Sequence, residues 1–220
     1  MDGLSLVLAS ASPRRRRLIT WLGAPVRLAA TDTAEDLTQP LAPAALAMTL
    51  AAEKARAVAA TDSETVLAFD TIVVHEGRVL GKPTDRDDAR RMLAELSGGM
   101  HEVVTGVAIR PAGTGTLDTL AVTTPVEMRT PSAEAVEAWL TGDEVLGCAG
   151  AYNIEHHLAS VADDQCFHNV AGMPLCHVYR ELASGRADEA PEGLTPPVGA
   201  CDAALGRHCL LGPRICGAGR

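Results

Sequence analysis

The chain has 220 residues, of which 19 are Lys or Arg and 28 are Asp or Glu, so its formal net charge is −9 at pH 7. This length fits one domain or two closely packed lobes, and the acidic balance excludes a surface built to bind nucleic acid or an anionic membrane. No apolar run approaches the roughly 20 residues that span a bilayer. We therefore expect a cytoplasmic protein without a signal peptide, whose six cysteines are reduced, metal-bound or redox-active.

The first half of the chain predicts alternating strands and helices. An apolar strand at 6–9 leads into a helix that begins at Pro13, with Ser12 as its N-cap. The elements predicted next are a strand at 26–30, an alanine-rich helix at 43–60, a buried strand at 65–74 and a hairpin-like turn at 75–78.

The second half continues the alternation. A helix is predicted at 84–96, with a capping box formed by Thr84 and Asp87. The remaining predicted elements are strands at 101–110 and 117–128, a helix that Ser132 caps and that ends near residue 140, and a last helix at 174–184. Together these elements predict an α/β protein with a largely buried sheet.

The last 36 residues differ in composition from the rest, because 11 of them are Gly or Pro. This composition favours irregular chain, so we expect a domain over 1–184 and a Gly/Pro/Cys-rich tail over 185–220. Cys201, Cys209 and Cys216 lie close together in the tail and are candidate ligands of zinc or an iron–sulfur cluster. Their spacing lacks CxxC pairs, so a flexible tail with reduced thiols is the alternative.

Four arginines, Arg14–Arg17, follow Ser12 and Pro13 at the start of a predicted helix. Positive charge is unfavourable there unless an anion compensates it, because a helix N-terminus already carries partial positive charge. The hydroxyls of Ser10 and Ser12, together with Arg14 and Arg15, would suit a phosphate group. A solvated basic face is the alternative, and at most two of the four arginines can face one ligand.

Asp70 interrupts the apolar run VLAFDTIVV. A buried carboxylate must be paired, bound to a metal or protonated, so Asp70 is a candidate metal ligand or general base. The alternative is a structural aspartate that accepts hydrogen bonds from backbone N–H groups at a bend.

Two lysines add to the predicted anion site. Lys54 falls on the apolar stripe of its helix, so its ammonium group either extends out to water or points into the same cleft as the arginines. Lys82 precedes the helix predicted at 84–96. With Arg14 and Arg15 they would neutralise most of a triphosphate, while Asp70 and an acid from the 32–36 loop could hold a divalent ion.

Five segments of the sequence, taken in chain order, resemble those of one family. The segments LASASPRRRRL, EKARA, FDTIVVHEGRVLGKPTD, LSGGMHEVVTGVAI and AGAYNIE…NVAGMPL lie between about residue 4 and residue 184. They resemble the Maf family of nucleoside triphosphate pyrophosphatases, which is also linked to inhibition of septum formation. The resemblance implies a Maf/ITPase-like α/β fold, with a mixed sheet in two lobes around a nucleotide cleft, often as a homodimer.

The resemblance also implies a reaction and a set of site residues. Family members hydrolyse a nucleoside triphosphate to the monophosphate and pyrophosphate with Mg²⁺ or Mn²⁺. Asp70 matches the carboxylate usually assigned as proton acceptor, and Lys54 and Lys82 join it as catalytic candidates. The residues that match the family's phosphate contacts are Ser10, Arg14, Arg15, Lys54 and Lys82.

Substrate preference within the family is not settled by the motifs. Arg14 and Thr71 resemble the branch that prefers dTTP and UTP, whereas Glu155 and Cys148 resemble the branch that prefers 7-methyl-GTP. The expected substrate is therefore a dTTP- or UTP-like nucleotide or a modified one. The segment after Glu155 carries His156 and His157, which should diverge, with one in the cleft and one in solvent. A nucleotide- or metal-binding sensor that has lost turnover is the alternative function.

Overall fold

The computed structural model describes residues 3–31, 33–184 and 190–217. A mixed seven-stranded sheet forms its centre, with strand order β2-β1-β3-β5-β6-β7 and β4 paired to β3. The strands are β1 Ser5–Ala9, β2 Val26–Leu28, β3 Glu64–His75, β4 Arg78–Leu80, β5 Met100–Arg110, β6 Asp118–Met128 and β7 Ala159–Ser160. β1 runs parallel to β2 and β3, and the other pairs are antiparallel. The predicted α/β class with a mixed sheet is confirmed.

Eight α-helices and several 3₁₀ turns surround the sheet in the described residues. The helices are α1 Pro13–Ile19, α2 Pro43–Ala57, α3 Arg86–Leu96, α4 Ala133–Leu140, α5 Phe167–Val170, α6 Leu175–Ser184, α7 Val198–Leu205 and α8 Gly212–Cys216. The 3₁₀ turns are Thr20–Leu22, Asp143–Gly147, Ala149–Ala151 and Ile154–His156. No helix among these residues is both long enough and apolar enough to cross a membrane.

The start of α3 corrects one sequence prediction. The N-cap is Asp85, whose carboxylate accepts from the backbone N–H of Asp88 at 2.7 Å, and the helix begins two residues later than predicted. Thr84 instead uses its backbone N–H to donate to the Asp88 carboxylate at 2.9 Å. The capping box of Thr84 and Asp87 was therefore wrong, because the aspartate next along the chain captured the free helix N–H group.

Both faces of the sheet are buried at β1 and β3, which explains the unbroken apolar character of β3. On one face, Leu8, Leu67 and Phe69 belong to the larger core, and on the other Val66 and Ala68 belong to a smaller core under α2. Helix α2 packs across β3 and β5 at close range.

Gly106 on β5 allows this close packing. A Cβ atom there would lie 2.1 Å from the carbonyl oxygen of Ala47 on α2, so only glycine leaves the helix enough room. Asp70 lies opposite Gly106 in the sheet, and Lys54 follows on the same helix. The close approach of α2 therefore sets how near the lysine comes to the aspartate.

The described part of the tail contains two short helices, which corrects the prediction of irregular chain from its composition. Helix α7 follows Pro197, α8 carries Pro in its first turn, and Gly206 and Gly217 adopt the left-handed conformation just after the two helices. Proline and glycine thus mark helix ends here. The tail also packs on the domain, since Cys201 belongs to the larger core and the N–H of Thr195 donates to the carbonyl of Leu22 at 2.8 Å.

Candidate active site

A cleft of about 900 Å³ opens where β1 and β3 meet the 3₁₀ turns. Its walls come from the β1–α1 turn, α2, β3, the 143–156 segment and the 170–172 loop. The structure brings to it every residue that the sequence predicted as catalytic or substrate-binding, namely Ser10, Ser12, Arg14, Arg15, Lys54, Asp70, Thr71, Lys82 and Glu155. We call Ser10, Arg15, Lys54, Asp70 and Thr71 the cleft floor. We call Arg14, Arg17, Glu144, Asn153, Glu155 and His156 the cleft rim.

The two serines shape the turn that enters α1. Ser12 is the N-cap, and its hydroxyl accepts from the N–H of Arg15 at 3.4 Å. The hydroxyl of Ser10 accepts from the N–H of Ser12 at 3.2 Å and from the guanidinium of Arg15 at 3.4 Å. Both hydroxyls line the cleft and also hold the turn in place.

Arg15 links α1 to β3 and to the 170–172 loop. Its Nε donates to the carbonyl of Gly172 at 2.9 Å, and its terminal nitrogens donate to the carbonyl of Phe69 at 3.0 Å and to the hydroxyl of Thr71 at 2.9 Å. Burial lowers the pKa of Arg15 to about 10, with the Asp70 carboxylate opposing that shift. Most of its N–H groups are therefore committed to the protein, so Arg15 positions the floor as well as supplying charge.

The other arginines of the run reach the rim. Arg14 donates to Glu144 at 2.7 Å and to the sulfur of Cys148 at 3.4 Å, and Arg17 forms an ion pair with Glu155. Arg16 is exposed. The sequence analysis missed Arg17. Residues three apart share one face of a helix, so Arg17 lies on the same face of α1 as Arg14, which was already a candidate.

Lys54 lies between two carboxylates at the floor. Its Nζ is 2.5 Å from Asp70 Oδ1 and 2.7 Å from Glu35 Oε1. Lys54 as a whole is only 8% exposed. Lys82 contacts the same Glu35 carboxylate, and its Nζ is 2.7 and 3.0 Å from the two oxygens. The alternative that Lys54 extends into water is therefore wrong, because the buried charges of α2 and β3 pair with each other.

Glu35 is the acid that the 32–36 loop brings to the site. Burial by itself would raise the pKa of Glu35, but the ammonium groups of Lys54 and Lys82 outweigh it and lower the pKa to about 2. Asp36 instead accepts from the N–H and hydroxyl of Thr38 in its own turn. Asp32 lies outside the described residues. The sequence did not distinguish Glu35 from the other acids of the loop, because the direction of a loop side chain is set by the residues that it contacts.

The rim is held together by a second polar network. Asn153 donates to Glu144 at 2.7 Å and accepts from the N–H of Glu155 at 3.1 Å. His156 packs against the Trp139 ring with 4.7 Å between ring centres, and its Nε2 lies 3.3 Å from Glu144. His157 is exposed and has a left-handed backbone. The two histidines thus diverge as predicted, with His156 in the cleft.

Behind the floor, a buried amide supports Thr71. The hydroxyls of Thr71 and Thr105 are 2.9 Å apart, and Thr105 donates to the carbonyl of Asn169. The side-chain amide of Asn169 donates to the carbonyls of Val103 and Val122. The sequence analysis missed Asn169, because a polar residue in a short helix carries no local sign of its tertiary partners.

The predicted tail metal site is not supported. In residues 3–31, 33–184 and 190–217, no group of three or more His, Cys, Asp or Glu side chains is arranged to hold an ion. Cys201 is buried in the larger core, and the sulfur of Cys209 accepts from the N–H of Gly212 at 3.3 Å. Cys216 ends α8, which packs on α6 of the domain. The tail sulfurs therefore lie where the tail packs on the domain, but they are not arranged around a common ion.

Comparison with known proteins decides the family. A family profile described as Maf-like protein matches residues 5–185. The chain belongs to the Maf family. All the residues of the floor and the rim lie within the matched segment, and the described tail at 190–217 lies outside it.

Relatives of this Maf protein carry a functional name. The dTTP/UTP pyrophosphatase of Moorella thermoacetica is 45% identical over 184 residues, which cover 81% of this chain and 93% of the relative. The dTTP/UTP pyrophosphatase of Salinibacter ruber is 39% identical over 83% of this chain and 92% of the relative. The dTTP/UTP pyrophosphatase of Geobacter sulfurreducens is 40% identical over 83% of this chain and 97% of the relative.

Proposed function

We propose that this Maf protein hydrolyses dTTP or UTP to the nucleoside monophosphate and pyrophosphate. The names of its relatives support the reaction class and the pyrimidine substrate. The observation that carries the proposal is the pairing of Lys54 with both Asp70 and Glu35 at the floor of a cleft large enough for a nucleotide. This arrangement keeps a carboxylate available beside a row of cations, as phosphoryl hydrolysis requires.

The cations of the cleft would bind the triphosphate. Lys82 is half exposed, and its contacts are with Glu35, so it can turn to a phosphate oxygen without breaking a buried pair. Arg14 also lines the cleft, and its side chain is 18% exposed. Lys54 lies at the cleft floor, where it would contact the phosphate group that reacts. Its low exposure strengthens its interaction with negative charge.

Asp70 would act as the general base. Asp70 is 3% exposed and lines the cleft. In the proposed step, the oxygen of a water molecule forms a bond to the α-phosphorus while the bond from that phosphorus to the oxygen bridging to the β-phosphorus breaks. The water proton passes to Asp70, and pyrophosphate leaves with the bridging oxygen. A positioned base of this kind contributes about 10²- to 10⁴-fold.

A divalent ion fits the same carboxylates. Asp70 and Glu35 both contact the Nζ atom of Lys54, so the two carboxylates lie close together with the ammonium group between them. Mg²⁺ binds through one or two carboxylates together with phosphate oxygens of the substrate, and carboxylates also suit Mn²⁺. Asp70 and Glu35 would hold the ion, which when bound would neutralise charge on the phosphate oxygens.

The test is pyrophosphate release from dTTP, UTP, CTP, GTP and 7-methyl-GTP with Mg²⁺ or Mn²⁺. We expect turnover of dTTP and UTP, and a loss of about 10²- to 10⁴-fold in Asp70→Asn while nucleotide binding remains. Asp118→Asn, at an exposed aspartate where β6 begins, is the matched control and should keep full turnover. Binding without turnover of any nucleotide would instead identify a sensor.

A further inference from the structure

Five of the six cysteines collect where the tail packs on the domain. One small cavity of about 20 Å³ is lined by Cys166 and Cys176 from the domain and by Cys201 and Cys209 from the tail. Helix α8, which ends in Cys216, packs on α6, which begins beside Cys176. The sequence places these cysteines up to 50 residues apart, so only the docking of the tail brings the thiols together.

Gly212 lies at the centre of the cluster. A Cβ atom there would lie 3.2 Å from the sulfur of Cys176 and 3.5 Å from the sulfur of Cys209. The backbone N–H of Gly212 donates to that same Cys209 sulfur at 3.3 Å. Any larger residue would push sulfur atoms apart, so the close approach of α8 to the domain thiols depends on this glycine.

Cys176 and Cys216 form the pair best placed to react. Cys216 lies four residues after Gly212 and therefore on the same face of α8, one turn beyond the point where Gly212 approaches the sulfur of Cys176. Cys176 and Cys201 are 6% and 4% exposed, whereas Cys216 is partly open to solvent. A dissolved oxidant therefore reaches Cys216 before it reaches Cys176 or Cys201.

We propose that Cys176 and Cys216 form a reversible disulfide that ties the tail to the domain. With a peroxide as oxidant, the sulfur of Cys216 takes one peroxide oxygen to give a sulfenic acid, and the rest of the peroxide leaves as water or an alcohol. The sulfur of Cys176 then attacks the sulfenic sulfur, the S–O bond breaks, and a second water leaves with the Cys176 proton. Both sulfurs are oxidised and the peroxide is reduced.

The environment of the two thiols sets the rate at which they are oxidised. The hydrogen bond with Cys201 raises the pKa of Cys176, and the hydrogen bond with Cys176 raises the pKa of Cys216. Both thiols are therefore neutral at pH 7, and because the thiolate is the reacting species, oxidation is slow unless peroxide is abundant. The disulfide therefore forms only at high peroxide concentrations and does not respond to small changes in that concentration.

The disulfide would brace one wall of the cleft. Helix α6 begins three residues after Gly172, whose carbonyl accepts from Arg15. The segment from Cys166 to Cys176 contains α5 and this loop, so the domain thiols lie at both of its ends. Tying α6 to the tail would restrict the unfolded chain and hold that segment in place.

The test uses the full chain treated with hydrogen peroxide and analysed by mass spectrometry without reductant. We expect the loss of two hydrogen atoms, a crosslinked peptide that contains Cys176 and Cys216, and a rise in Tm of about 5 to 10 °C that dithiothreitol reverses. Cys216→Ser should abolish the crosslink and the shift in Tm, and Cys216→Ala repeats this test with an apolar side chain. Cys209→Ser is the matched control and should retain both.

Three outcomes would overturn the proposal: a crosslink between other cysteines, both thiols still free after peroxide treatment, or stoichiometric zinc or iron that protects the thiols. None of these readouts depends on turnover, so they are independent of the proposed pyrophosphatase activity.

Discussion

The floor and the rim of the cleft are built in different ways. The floor residues lie on β1, α1, α2 and β3 or beside them, and Ser10, Lys54 and Asp70 are all less than 9% exposed. Much of the rim lies on 3₁₀ turns, and the side chains of Glu144 and His156 are 43% and 50% exposed. Regular secondary structure therefore positions the residues proposed for the chemistry, whereas the residues nearest the open side are held mainly by one another.

This difference has an energetic consequence. A buried ion pair is costly to break, because removing one partner leaves the other charge without compensation. Exposed ion pairs contribute about 0 to 1 kcal/mol, so rim contacts can exchange for contacts with a ligand. We therefore expect substitutions in the floor to affect stability and turnover together, and substitutions in the rim to affect substrate preference.

Replacing Lys54 with Met should have the largest effect. It leaves Asp70 and Glu35 without their shared cation, so we expect the free energy of unfolding to fall by about 3 kcal/mol and turnover to fall by at least about 10²-fold. Urea denaturation and pyrophosphate release measure the two effects. Lys82→Met provides the comparison, since its half-exposed ammonium contacts Glu35 alone, and it should cost under about 1 kcal/mol. Equal losses of unfolding free energy in the two variants would show that the cost does not depend on how deeply the lysine is buried.

Replacing Arg15 with Lys should have the next largest effect. Lysine keeps the charge but cannot reproduce three hydrogen bonds to Gly172, Phe69 and Thr71 from one planar group. We expect a loss of about 1 to 3 kcal/mol in unfolding free energy and a rise of about 10-fold in KM for UTP. Arg16→Lys, at the exposed neighbour, should change neither. An Arg15→Lys protein as stable as the original would mean that the guanidinium does not link the floor.

Replacing Glu155 with Gln tests the rim. The amide can donate as well as accept hydrogen bonds, so it can bond a carbonyl oxygen of a pyrimidine base, and it no longer forms an ion pair with Arg17. We expect the ratio of kcat/KM for UTP to that for 7-methyl-GTP to rise by about 10-fold, with the free energy of unfolding changed by under about 1 kcal/mol. Glu134→Gln on the exposed face of α4 is the control. A fall in kcat that is equal for all nucleotides would place Glu155 in the chemistry instead.

The smallest effect concerns pH. Burial lowers the pKa of both His101 and His168 to about 4, and His101 bonds the hydroxyl of Tyr152, a residue of the cleft wall. The unfolded chain binds protons at these histidines near pH 6.5 and the folded protein does not, so stability should fall as the pH drops from 6.5 towards 4. Urea denaturation across this range should show a shallower decline for His101→Gln. His157→Gln, at an exposed histidine, should leave the slope unchanged.

Much of the fold followed from local pattern. The apolar runs predicted β1, β3 and β5 to within one residue at each end, because strands buried on both faces leave a continuous apolar signal. The ends of β6, in which buried and exposed residues alternate, were predicted equally well. Helix ends were predicted less well. Helix α2 stops at Ala57, since Val58 adopts an extended backbone. In the tail, the same glycines and prolines that favoured irregular chain instead cap two short helices.

The sequence by itself determined which residues could do the chemistry. Four arginines at a helix start and a carboxylate in an apolar strand are unfavourable without partners, so their presence predicted a charged cleft. Only the tertiary structure decided how these charges are used: Arg15 became a link within the floor, Glu35 came from a loop, and Arg17 met Glu155 across the rim. The tail thiols met the domain for the same reason, since contacts between distant segments depend on packing that no local pattern encodes.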